Sequence, residues 1–157
     1  MKKKFSLEKG FTLVEVSVVA AIFFALVGLA TVNFFKFQHQ SNLTGTVNSF
    51  LADMKEQQIK AMVGDTDGTA STSAFGVHFE SSSYTLFRKS YGTNNFVISL
   101  PSNINIIATQ SAVQVVFASG SGELASTTSA TVTFKDSGDS SQKVVILNRY
   151  GVVTAVN

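Results

Sequence analysis

The 157-residue chain has no cysteine, no tryptophan, a single proline (Pro101) and only two histidines, and Asp, Glu, Lys and Arg together make up 14% of it. Without cysteine there is neither a disulfide clamp nor a thiolate metal site. His39 and His78 show no H-x-x-x-H spacing and no neighbouring acid cluster, so they offer no zinc donor set; each reads as an ordinary surface or interface residue. Serines are plentiful, but no G-x-S-x-G elbow occurs and neither histidine has an evident acid and nucleophile partner. Gly120-Ser121-Gly122 joins two strand-like segments and opens no helix, so it fails as a phosphate cradle. The chain does not read as an enzyme, and no cofactor is expected.

Charge of one sign is also scarce. The formal net charge is +2, but Lys2, Lys3, Lys4 and Lys9 against Glu8 give the first ten residues +3. From Phe11 onward 8 basic residues face 9 acidic ones, a net of −1. The electrostatic footprint of a dedicated nucleic-acid binder is therefore missing.

What the chain does have is one long apolar run. Phe11 to Val32 is 22 residues, of which 17 are apolar, one is Gly28 and four are polar: Thr12, Glu15, Ser17 and Thr31. At about 1.5 Å per residue a helix of this length reaches roughly 33 Å, enough for a bilayer core of about 30 Å. The lysines before it, with only Lys36 close behind, put the N-terminus in the cytoplasm and the rest outside. Glu15 sits about one turn into the run, where an acid costs up to roughly 3 kcal/mol at mid-membrane depth. A cut between Gly10 and Phe11 would create an α-amino group four residues before Glu15. That amine would meet the carboxylate of its own helix at i, i+4 spacing, or Glu15 of a neighbouring subunit. In the second case an unfavourable buried charge becomes an assembly signal.

KGFTLVEV, residues 9–16, resembles the class III leader junction of type IV pilins and type II secretion pseudopilins. The resemblance implies cleavage after Gly10 by a membrane-embedded prepilin peptidase, N-methylation of Phe11, and stacking of the helices into a filament core in which Phe11, Thr12 and Glu15 govern assembly. It also implies other pilin or pseudopilin subunits and an inner-membrane assembly platform as partners. Two other readings stay open: a plain signal anchor with an incidental Glu15, and a secretory signal ending at Gly28-Leu29-Ala30, which would release a chain starting at Thr31. Against the family pattern, this chain lacks the C-terminal disulfide of many pilins and has Val32 where many place a helix-breaking proline.

Beyond the run, Leu43, Val47, Phe50, Leu51, Met54 and Met62 draw an apolar stripe along a helix to about Val63, the face that covers a β-sheet. Gly64 to Gly68 breaks it. Short alternating runs follow and predict strands over 74–80, 83–90, 95–100, 104–108, 112–118, 130–135, 142–148 and 151–156. The expected fold class is α+β: a long N-terminal helix, transmembrane in its first half and amphipathic in its second, packed on an antiparallel sheet or sandwich of about eight short strands. The expected parts are a leader 1–10, a membrane or filament-core helix 11–35, an amphipathic half 36–63 and a β domain 64–157. This element order is similar to pseudopilin H and FimT-like minor pilins, whose closing hairpin Val145, Leu147, Gly151 and Val153 fit loosely.

DNA-binding members of that group carry several arginines around the last hairpin. Here Arg149 stands alone before Gly151, and one arginine cannot neutralise several phosphates. Asp65-x-Asp67-Gly68 begins like a calcium loop, but its twelfth position is Gly76 and not Glu. Asp136 and Asp139 form another oxygen-rich pair; all four acids read as turn residues. The functional reading is a structural pilin-like subunit, of minor rank. Its alternative is a membrane-tethered β domain that binds a glycan or secreted substrate without polymerising.

Overall fold

The computed structural model describes residues 10–66, 68, 71–92, 95–109, 113–125 and 129–157. One helix, α1, runs from Leu13 to Val63. Eight strands follow: β1 (Phe75–Phe79), β2 (Ser83–Arg88), β3 (Asn95–Ser99), β4 (Ile104–Thr109), β5 (Gln114–Phe117), β6 (Ser129–Asp136), β7 (Gln142–Asn148) and β8 (Val153–Val156). They form two antiparallel four-stranded sheets, in the orders β3-β2-β1-β5 and β4-β6-β7-β8. The expected α+β architecture is what the chain adopts. The chain divides into two units, Met1–Gln38 and His39–Asn157.

In the second unit, the helix turns from His39 onward lay their apolar side chains on both sheets. Leu43, Val47, Phe50 and Met54 of α1 are buried together with Phe75, Val77 and Phe79 of β1, Val132 and Phe134 of β6, and Val145 and Leu147 of β7. The period-3.6 stripe of the helix thus meets the period-2 faces of the strands. Phe50 stands at the centre. Its ring lies 5.8 Å from Phe79, 5.4 Å from Tyr84 and 5.0 Å from Phe134, so one side chain touches both sheets. Such tilted and edge-on aromatic pairs add to the gain from burial.

Toward its C-terminal end the stripe departs from the sequence expectation. Met62 is half exposed, and the buried positions are Ala61 and two glutamines, Gln57 and Gln58. Gln58 is tolerated inside because its Nε2 donates to the carbonyls of Gly122 (3.0 Å) and Tyr150 (2.8 Å). The helix is thereby tied to the loop after β5 and to the β7–β8 turn. That turn closes on Gly151 at φ 70°, a left-handed conformation that glycine adopts without strain. In β1 a glycine is required for a different reason: a Cβ on Gly76 would lie 2.5 Å from the Phe87 ring and 2.6 Å from the Val115 carbonyl.

Candidate functional site

In the first unit the helix begins immediately after the Gly10-Phe11 junction. Thr12 is its N-cap: Thr12 Oγ1 accepts the Glu15 N–H at 3.2 Å, and the Thr12 carbonyl accepts the Val16 N–H at 3.2 Å. Thr12 and Glu15 occupy the two positions of the capping-box signature T-x-x-E, of which the Thr12 half is formed. An acid in the first turn also suits the helix dipole.

The other polar side chains of the run bond to the helix itself. Ser17 Oγ donates to the Val14 carbonyl at 2.8 Å, and Thr31 Oγ1 to the Val27 carbonyl at 2.8 Å. Internal bonding of this kind is what a low-dielectric surrounding demands of a hydroxyl. Of the four polar residues in the run, Glu15 alone keeps its side chain uncommitted among the described residues. Its neighbours at four-residue steps are Phe11, Val19 and Phe23, and with Val16, Ala20 and Phe24 they border a shallow, almost wholly apolar groove of about 420 Å³. Phe11 is 84% exposed and Phe24 71%. Among the described residues α1 is the one helix long and apolar enough to cross a membrane.

A second cluster lies in the unit that starts at His39. Asp136, at the end of β6, is fully buried. Its Oδ1 accepts the Gly138 N–H at 2.7 Å, while Oδ2 accepts Asn103 Nδ2 at 2.7 Å and faces His39 Nδ1 at 3.0 Å. Burial pushes this carboxyl up, but the bonds from Gly138, His39 and Asn103 outweigh it and hold Asp136 below the ordinary carboxylate value. Asp136 thus bonds the turn after it through Gly138, as expected of a turn acid, but it is also buried and joined to His39, which has a specific partner beyond the ordinary surface or interface role expected of it. The two residues join α1 to β6, and His39 is the partner that the local sequence did not reveal. Asp139 is a turn acid: its Oδ1 accepts the Ser141 hydroxyl and N–H, which lower its pKa.

With both Asp136 oxygens occupied by donors, a cation would have to displace existing bonds. Among the described residues no three His, Cys, Asp or Glu side chains gather as a metal site. Asp65 lies in the bend after α1, where its N–H donates to the Lys60 carbonyl at 2.9 Å. Its proposed calcium partner Asp67 falls outside the described residues, as do Lys2, Lys3, Lys4 and Lys9.

His78, likewise expected to be ordinary, stacks on the Tyr91 ring at 3.7 Å and 17°. The Tyr91 hydroxyl donates to Glu80 Oε1 at 3.0 Å, and Ser83 Oγ donates to Oε2 at 2.9 Å. The Ser83 bond, then the Tyr91 bond, lower the Glu80 pKa. Arg149 projects from the β7–β8 turn, 3.5 Å from Glu123 and 5.6 Å above the Tyr150 ring.

No family model and no curated protein matches the chain. Among solved structures it is similar to the minor pseudopilin EpsH from the type 2 secretion system of Vibrio cholerae. The two are 15% identical with a TM-score of 0.53, over 74% of this chain and 96% of that one. At that identity the likeness speaks for the fold, in which a long N-terminal helix leads into two antiparallel sheets: this chain has the pilin-like α+β fold of a pseudopilin.

Proposed function

We propose that this chain is a pilin-like structural subunit. Prepilin peptidase cuts it after Gly10, its new N-terminus Phe11 is methylated, and it enters a type IV pilus or secretion pseudopilus as a minor, initiating or tip component. In this reading residues 1–10 are the leader, 11–35 cross the inner membrane and later line the filament core, 36–63 are the amphipathic half, and 64–157 are the exported domain. Its partners are other pilin or pseudopilin subunits, the peptidase and methyltransferase, and the assembly platform.

The observation that carries this reading is the isolation of Glu15. Thr12, Ser17 and Thr31 are bonded within the helix, whereas Glu15 stands at four-residue spacing between exposed Phe11 and Val19. A carboxylate placed there is unfavourable in lipid until a cation joins it, and the amine exposed by cleavage at Phe11 is the nearest one the chain can make. The α+β fold that follows, similar to that of a minor pseudopilin, supports the same conclusion.

N-terminal sequencing of the mature protein tests it. A start at N-methylated Phe11 is expected. A start at Thr31, or a mature chain that keeps its first ten residues, overturns the reading. With one arginine at the last hairpin and a net charge of −1 from Phe11 onward, the subunit is not expected to retard DNA in a mobility-shift assay at low salt. A shift that is lost in Arg149→Ala would reverse that expectation.

A further inference from the structure

Each sheet has two edges, and they are not treated alike. The outer edge of β5 is occupied, since the Ala125 N–H donates to the Val116 carbonyl and the Ala118 N–H to that of Glu123. β4 is engaged by Ser81, whose carbonyl accepts the Ile106 N–H. β8 is four residues long and meets β7 through a register irregularity at Ile146/Leu147. Those are the usual defences of an edge: cover, shortness and a bulge.

β3 has none of them. Its five residues, Asn95-Phe96-Val97-Ile98-Ser99, carry no charge and no proline. They pair with β2 in unbroken register from Ser83↔Ser99 to Phe87↔Asn95. Among the described residues no strand lies on the other side. Phe96 is 67% exposed and Val97 59%. Phe96 and Ile98 also border a groove of about 360 Å³ against Asp53, Glu56, Gln57 and Lys60 of α1, so the α1-facing side of this strand adjoins open space.

We infer that β3 pairs with β3 of a second copy of this chain, antiparallel and centred on Val97. The strand's own sequence argues for that occupant. Antiparallel pairing about Val97 sets Phe96 opposite the partner's Ile98, Val97 opposite the partner's Val97, and Asn95 opposite the partner's Ser99. Each position meets its own kind: two aromatic–β-branched pairs on the groove side, one β-branched pair on the other face, and a polar pair at each end. Aromatic–β-branched and β-branched cross-strand pairs are those that stabilise a sheet. A shift of one residue would set Phe96 opposite the partner's Val97 and mix the two faces of the strand, and a shift of two would keep the faces but pair only three of the five residues, so pairing about Val97 is the register that uses the whole strand. The two-fold contact closes on itself and yields a dimer, not a chain of copies. This inference stands independently of whether the subunit enters a filament.

The absence of cysteine gives a clean test. In full-length protein purified in detergent, Val97→Cys places two thiols directly opposite, within the Cα separation that a disulfide spans. Mild oxidation is expected to yield a disulfide dimer at about ten times the level of Ile107→Cys, an exposed control on β4. Phe96→Cys alone should not cross-link, because its two copies are diagonal neighbours beyond disulfide reach, whereas Phe96→Cys mixed with Ile98→Cys should. Adding Val97→Lys to both chains of that mixture guards the edge and should abolish the product while the thermal unfolding midpoint stays unchanged. If Val97→Cys links no better than Ile107→Cys, or if Phe96→Cys links as readily as Val97→Cys, the proposal is overturned.

Discussion

Asp136 Oδ2 lies 3.0 Å from His39 Nδ1 although 97 positions separate the two residues. The contact joins the first residue of the β-bearing unit to the end of β6, and the same oxygen accepts Asn103 of the segment before β4. One buried carboxylate thus holds three parts of the chain in register.

Asp136→Ala is expected to cost about 2–3 kcal/mol, because donors from Gly138, Asn103 and His39 lose their acceptor together. Urea unfolding measures it. The pH dependence has a definite sign. The folded state holds the Asp136 carboxyl below its ordinary value, so the stabilisation is complete above the unfolded carboxylate value of about 3.9 and is lost as pH falls through the folded value. Asp136→Asn should therefore be less stable at neutral pH and lose less on acidification. An unchanged acid limb would refute this account.

Phe50→Ala should destabilise the domain by about 3–5 kcal/mol, since a fully buried ring is lost from contact with both sheets. Phe50→Leu, which keeps most of the volume, should cost about 1.5 kcal/mol or less. Chemical denaturation of the pair separates volume from chemistry.

Gln58→Ala removes the donor to the Gly122 and Tyr150 carbonyls and should cost about 1–3 kcal/mol. The change has a local signature: hydrogen exchange should quicken around residues 118–124 and 148–152, the two segments that Gln58 binds. Uniformly faster exchange across β1 and β2 would contradict it.

Glu15→Ala should abolish incorporation into filaments while leaving cleavage after Gly10 largely intact, as judged by immunoblotting of sheared filaments against whole cells. Thr12→Ala removes the cap and should cost about 1 kcal/mol of helix stability. Normal incorporation of Glu15→Ala would refute its assembly role.

Much of the architecture was readable because its signals are local. All eight strands lie where alternation and turn residues put them, with ends within about two residues of expectation, as is usual for element boundaries. The stripe Leu43, Val47, Phe50 and Met54 is the buried face of α1. Met62 departs from the stripe because Gln57 and Gln58 are buried in its stead, and hydropathy does not credit a buried amide with its hydrogen bonds. His39 with Asp136, and His78 with Tyr91, could not be read at all. Each pair meets through tertiary packing, and no periodicity reports a partner 97 positions away. At the N-terminus the signal is local: Thr12-x-x-Glu15 stands in the sequence, and Thr12 caps the helix.

The Phe50 ring touches Phe79 and Tyr84 in one sheet and Phe134 in the other. Tension applied to the helix turns from His39 onward would be shared by both sheets, with this side chain at the centre of the joint. Neither sheet can be peeled away while the other keeps its core, so under mechanical load the domain should yield in one step at high force and not by successive shedding of strands.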